Sequence, residues 1–220
     1  MIPLRDVIPS RTTPYITITI IMLNAVAWLA EIGIDGSGDL PLFLQLYGVV
    51  PADFAPATLI TSMFLHGSWT HVIGNMWYLW IFGDNVEDRL GHGRFIVFYL
   101  LCGIVAAIGQ ISLDPLSTLP MVGASGAIAG VMGAYFVLYP RSRVLTLVTV
   151  LFFWDIIELP AITLLGFWFV MQLFSAGAIA VTAGTGGGVA FAAHVAGFAS
   201  GAGGVFIFRK RQVSTWDPPF

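Results

Sequence analysis

The stretch "MVGASGAIAGVMGAYFVLYP", residues 121–140, is apolar throughout except for a hydroxyl near its start, Ser125, flanked by Gly123 and Gly126. A serine among glycines in such a run is ordinarily a small residue that lets two membrane helices touch. Its meaning depends on which other polar groups reach the same depth.

The whole chain is built like that run. Of 220 residues, 57% are hydrophobic and 10% charged, with a mean hydropathy of +0.88. Ordinary soluble domains carry about 25% charged residues, so the composition is that of a membrane protein. No basic face for nucleic acid is present. The single cysteine, Cys102, lies in an apolar run and reads as a buried small hydrophobe.

A helix needs roughly 20 apolar residues to cross a bilayer. Six stretches qualify, near 15–32, 69–86, 95–112, 121–139, 160–181 and 189–208. The first continues through Trp28 and Leu29, which favours a span over a cleaved leader. Two shorter apolar pieces, 40–50 and 144–154, are expected to be interfacial or re-entrant. The domain expected from this is a six-helix transmembrane unit over 15–208, with short tails at 1–14 and 209–220.

The nine basic residues fall at Arg5, Arg11, Arg89, Arg94, Arg141, Arg143, Arg209, Lys210 and Arg211. Six spans put all of them on one side, which the positive-inside rule makes cytoplasmic. The sequence therefore predicts an all-α membrane protein with both termini inside, expected in a prokaryotic inner membrane among lipid.

Polar side chains at membrane depth are costly and mark function. Those here are His71 and Asn75 in "THVIGNMWYLW", Ser125, and His194 in "AFAAHVAGFASG", with His66 just ahead of the second span. His71 and Asn75 are four apart and share a face. Gly126 and Gly130, and Gly197 and Gly201, are small-x-x-x-small pairs that permit close helix approach. His194 lies on the glycine face of its helix, so contact between spans 4 and 6 would bring it towards Ser125.

A serine hydroxyl is a weak nucleophile until a base takes its proton, and histidine is the usual base. The Asn75 amide, a His71 ring N–H and the Ser125 backbone N–H suit an oxyanion. No carboxylate lies in the outer halves of spans 2, 4 or 6, so a dyad is the simplest reading, and packing, a backbone carbonyl or water is left to orient the imidazole. Gln172 reads only as a polar bridge between helices. An H-E-x-x-H zinc motif is absent.

The blocks "MFLHGSWTHVIGNMWYLWIFGDNVEDRLG", "GASGAIAG" and "AHVAGFASG" resemble those of rhomboid intramembrane serine proteases, in order and spacing, from about His66 to Gly204. The resemblance implies Ser125 as nucleophile, His194 as general base, His71 and Asn75 at the oxyanion, and His66 and Gly123 shaping the site. It also implies transmembrane protein substrates cleaved near the outer face, with no metal or cofactor. Some relatives stack a tyrosine, four residues after the nucleophile, on the histidine; Ala129 stands there. A catalytically inactive relative that binds membrane clients is the alternative.

Overall fold

The computed structural model describes residues 1–150, 153–181 and 190–210. Residues 211–220 of the expected C-terminal tail, with Arg211, lie outside the described residues, as does Val189 at the expected start of the sixth span.

The chain is mostly helical. Its longer helices are α1 (Tyr15–Asp35), α4 (Trp69–Leu90), α5 (His92–Leu113), α6 (Ser125–Leu138), α7 (Ala161–Val181) and α8 (Phe191–Phe208). Two short helices, α2 (Leu40–Tyr47) and α3 (Thr58–Thr61), lie between α1 and α4. By length and composition, α1, α5 and α8 can each cross a membrane. Many of their side chains stay exposed and apolar, among them Met22, Leu29, Val97, Ile108 and Ile207. In water such surface would be a liability; lipid tails cover it at no cost, and the chain is an integral membrane protein.

One expectation needs correcting. The described residues include a three-stranded antiparallel sheet, so the protein is not all-α. Strand β1 (Ile2–Asp6) pairs with β2 (Arg143–Val150), which pairs with β3 (Phe153–Pro160). The described parts of the piece at 144–154 are thus strand, 144–150 in β2 and 153–154 in β3. Its "VLTLVTV" is rich in β-branched residues, which suit a pleated strand better than a helix face. Val144 and Thr146 point inward and are fully buried. The expected N-terminal tail supplies the edge strand.

Small residues set the centre of the bundle. Cβ atoms placed on Gly197 and Gly201 of α8 would run into the carbonyls of Gly126 and Gly130, and one on Gly133 into that of Phe198. The backbones of α6 and α8 therefore touch, as small residues allow. Around them pack Phe82, Phe98, Tyr99, Met132, Tyr135 and Leu165, all buried.

Buried polar groups are paired at the end where the sheet lies. No side chain of its own caps α1, whose first turn begins after Pro14. Glu87, buried on α4, caps it instead: its carboxylate accepts from the Ile16 N–H at 2.9 Å, the Thr17 N–H at 2.8 Å and the Thr17 hydroxyl at 2.7 Å. Asp6 accepts from the Tyr135 hydroxyl at 2.8 Å and Asn85 Nδ2 at 3.0 Å, which locks β1 to α4 and α6.

Candidate active site

At the other end of the bundle a cavity of about 1210 Å³ opens between the helices, with His71, Asn75, Gly123, Ser125, Trp168 and His194 among its walls. Ser125 sits differently from the sequence expectation. The helix does not start at 121 but at Ser125 itself. Met121 forms a bridge with Val49, and Gly123, at φ +125°, donates its N–H to the Ser62 carbonyl at 2.9 Å. That positive φ is open to glycine and strained for other residues. A Cβ there would also press on His71 Nε2 at 2.7 Å.

Starting at Ser125 has a chemical consequence. The first N–H groups of a helix have no partner within it and carry partial positive charge. The backbone N–H of Ser125 is one of them, on the same residue as the hydroxyl.

His194 lies in the first turn of α8 and is largely buried. The α6–α8 contact carries it across to α6, where its Nε2 lies 2.8 Å from the Ser125 Oγ, within hydrogen-bond reach. Its other nitrogen, Nδ1, lies 2.8 Å from Oε1 of Gln172 on α7. Trp168, one turn before Gln172, leans on the imidazole with ring centroids 5.8 Å apart and planes at 37°. Phe191 meets it edge-on.

The α4 side of the cavity is prepared by its N-cap. Ser68 Oγ accepts from the His71 N–H at 3.2 Å, starting the helix so that His71 and Asn75 fall on one face. The Gly67 N–H points at His71 Nδ1 at 3.5 Å, which leaves Nε2–H as the donor beside Gly123. Asn75 Nδ2 donates to His66 Nε2 at 2.9 Å, so one amide hydrogen fixes the side chain and the other stays available.

His66 is fully buried in the connection ahead of α4. Burial, and then the neighbouring His71, push its imidazole down to about 4, so it stays neutral and able to accept from Asn75. The His66 backbone N–H is held by the buried Glu31 carboxylate of α1, at 3.1 and 3.2 Å to its two oxygens.

The structure thus brings Ser125 and His194 into direct contact and sets His71, Asn75 and Gly123 beside them. His66 stands one contact back, behind Asn75. Gly126, Gly130, Gly197 and Gly201 hold the two helices together. The sequence marks Gln172 only as a polar bridge and does not mark Glu31. For Gln172 a signal exists: it and Trp168 are i, i+4 neighbours, and it carries the one amide side chain in a largely apolar helix.

These features define a helical membrane protein with a serine–histidine pair sunk in a polar-lined cavity between its helices. Residues 54–211 match the Rhomboid domain, well over half of the chain, and the protein belongs to the rhomboid family. It is 32% identical over 112 residues to Rhomboid protein 1, mitochondrial, of Saccharomyces cerevisiae, covering 48% of this chain and 32% of that protein. It is 37% identical over 92 residues to Rhomboid protease GluP of Bacillus subtilis, covering 42% and 18%. With RHOMBOID-like protein 6, mitochondrial, of Arabidopsis thaliana it shares 33% over 159 residues, covering 72% and 46%. The chain spans less than half the length of each of these relatives.

Proposed function

We propose that the protein is an intramembrane serine endopeptidase that cleaves transmembrane proteins with a Ser125–His194 dyad. The observation that carries this reading is the 2.8 Å contact between Ser125 Oγ and His194 Nε2, made inside the cavity. That is hydrogen-bond reach for general-base activation.

In this reaction His194 Nε2 takes the Ser125 proton as Oγ attacks the scissile carbonyl. The carbonyl oxygen becomes an oxyanion, met by the Ser125 N–H, the Asn75 amide and His71 Nε2–H. His194 then returns the proton to the leaving amine, freeing one peptide half. Water, deprotonated by the same nitrogen, hydrolyses the acyl-enzyme and restores the serine.

The sheet supports a crossing count. It ties residues 2–6 to 143–160, so both segments lie on one side of the membrane. An even number of crossings must separate them, and α1, α4, α5 and α6 supply four. With α7 and α8 the total is six, both termini share a side, and the basic residues make that side the cytoplasm. The cavity then opens outward, towards the exterior of a prokaryotic cell.

Purified protein in liposomes with a reporter transmembrane substrate tests the dyad. Wild type is expected to cleave, and Ser125→Ala and His194→Ala to lose activity. A serine-directed fluorophosphonate should label Ser125 in wild type only. Cleavage by either variant would overturn the assignment, whereas a wild type that binds substrates and neither cleaves nor labels would be an inactive client-binding relative.

A further inference from the structure

His194 is held on both sides: one ring nitrogen faces Ser125 and the other faces Gln172. We propose that Gln172 is a positioning residue for the hydrolysis, fixing His194 in the tautomer that carries its proton on Nδ1. This rests on the reading of Ser125 and His194 as the reacting pair.

A neutral imidazole has one N–H and one lone pair, and only the Nδ1–H form leaves the Nε2 lone pair aimed at a hydroxyl proton. An amide oxygen accepts and cannot donate. Placed 2.8 Å from Nδ1, Gln172 Oε1 therefore selects the productive tautomer. The reversed amide would donate to Nδ1 and move the ring proton to Nε2. Ser125 would then face an N–H, and the pair could not act as a base.

The same contact serves after proton transfer. Both imidazolium nitrogens are donors, and the Gln172 oxygen still receives Nδ1–H while Nε2–H turns to the leaving group. A glutamine does this without adding a charge to an apolar helix, where a carboxylate would be expensive to bury. Among the described residues, no carboxylate hydrogen-bonds to His194.

Gln172 is itself placed by α7. Trp168 precedes it by one helical turn and leans on the same imidazole, so a single face of α7 provides a hydrogen-bond acceptor and a packing surface. Phe191 closes the ring from within α8. These contacts stand where the resemblance led one to look for a stacking ring at position 129, which is Ala129.

The test uses full-length protein in liposomes, comparing wild type with Gln172→Leu, Gln172→Met and Gln172→Glu. Three readouts are taken: steady-state cleavage across pH, fluorophosphonate labelling, and ¹⁵N shifts of His194 by solid-state NMR. Removing the acceptor should lower kcat about 10- to 100-fold with KM nearly unchanged, within the range general-base catalysis contributes. The Nδ1 signal should lose its protonated shift as the tautomers mix. Gln172→Glu should restore most of kcat and move the acidic limb of the rate profile to higher pH, since a carboxylate favours the imidazolium. The methionine variant stands in if leucine fails to fold.

Wild-type kcat and tautomer in Gln172→Leu, or a loss in Gln172→Glu equal to that in Gln172→Leu, would overturn the role of Gln172 alone. A wild type that neither cleaves nor labels would overturn the reading of the pair itself, and the positioning role with it.

Discussion

The two ends of this bundle each bury a polar cluster, yet the clusters are put together on opposite principles. Where the sheet lies, Asp6 is held by Tyr135 and Asn85, and Glu87 by the first turn of α1, so each carboxylate meets several donors. Where the cavity lies, donors converge on a space: the Ser125 N–H, the second Asn75 hydrogen and His71 Nε2–H. A satisfied network stabilises a fold. Donors left facing a cavity stabilise whatever charge develops there.

The comparison breaks most sharply at the glycines between α6 and α8. Gly201→Leu should separate the helices, because even a Cβ meets the Gly130 carbonyl. Cleavage is expected to fall by about 100-fold or more and Tm by roughly 10 °C, since overpacking costs about 1–3 kcal/mol and sometimes more. Gly203→Leu, on the same helix but with open space at its Cβ, is the control and should change little. Cleavage assays and thermal unfolding in detergent measure both.

A smaller pair of changes separates the two clusters. Asn75→Ala should cost about 10- to 100-fold in kcat through a lost oxyanion donor, and about 1–2 kcal/mol in stability because the buried His66 Nε2 loses its donor. Tyr135→Phe should lower stability by a similar amount, about 1–2 kcal/mol, as the Asp6 network loses a donor, while kcat of folded protein holds. Equal effects of the two on kcat would dissolve the distinction.

A pH dependence, with no expected effect on the cavity, belongs to the sheet end. Burial raises the Asp6 carboxyl to about 6, against the hydrogen bond from Tyr135, which lowers it. A raised acid binds its proton more tightly in the folded state. Its contribution is therefore complete below about pH 4 and is lost as pH rises through about 6, by up to roughly 3 kcal/mol. Asp6→Asn should flatten this slope in unfolding curves recorded from pH 4 to 8.

What sequence made legible follows the same division. Ser125, His194, His71 and Asn75 stand out because polar residues in apolar helices are expensive and their spacing fixes a shared face. Gln172 reads only as a polar bridge, because α7 is apolar nearly all round and periodicity does not reveal which face meets α8. Glu31 does its work through a backbone N–H, and the chain leaves no trace of that in the spelling of His66. The sheet is not legible because a short apolar run fits several structures until its partner strands are known, and β1 is far away in sequence. Ser125 heads its helix because Gly123 turns the chain, a backbone fact hidden inside an unbroken apolar run.

The pairing of β1 with β2 also imposes a schedule on synthesis. Ile2 lies opposite Leu147, with six helices between them in the chain. Contacts this distant in sequence close late. As the protein leaves the ribosome, its first strand waits unpaired while α1 to α6 are made, and only the arrival of residues 143–150 gives it a partner. The sheet is then a completion mark: it can first close once the segment carrying Ser125 has been made, before the helix carrying His194 exists.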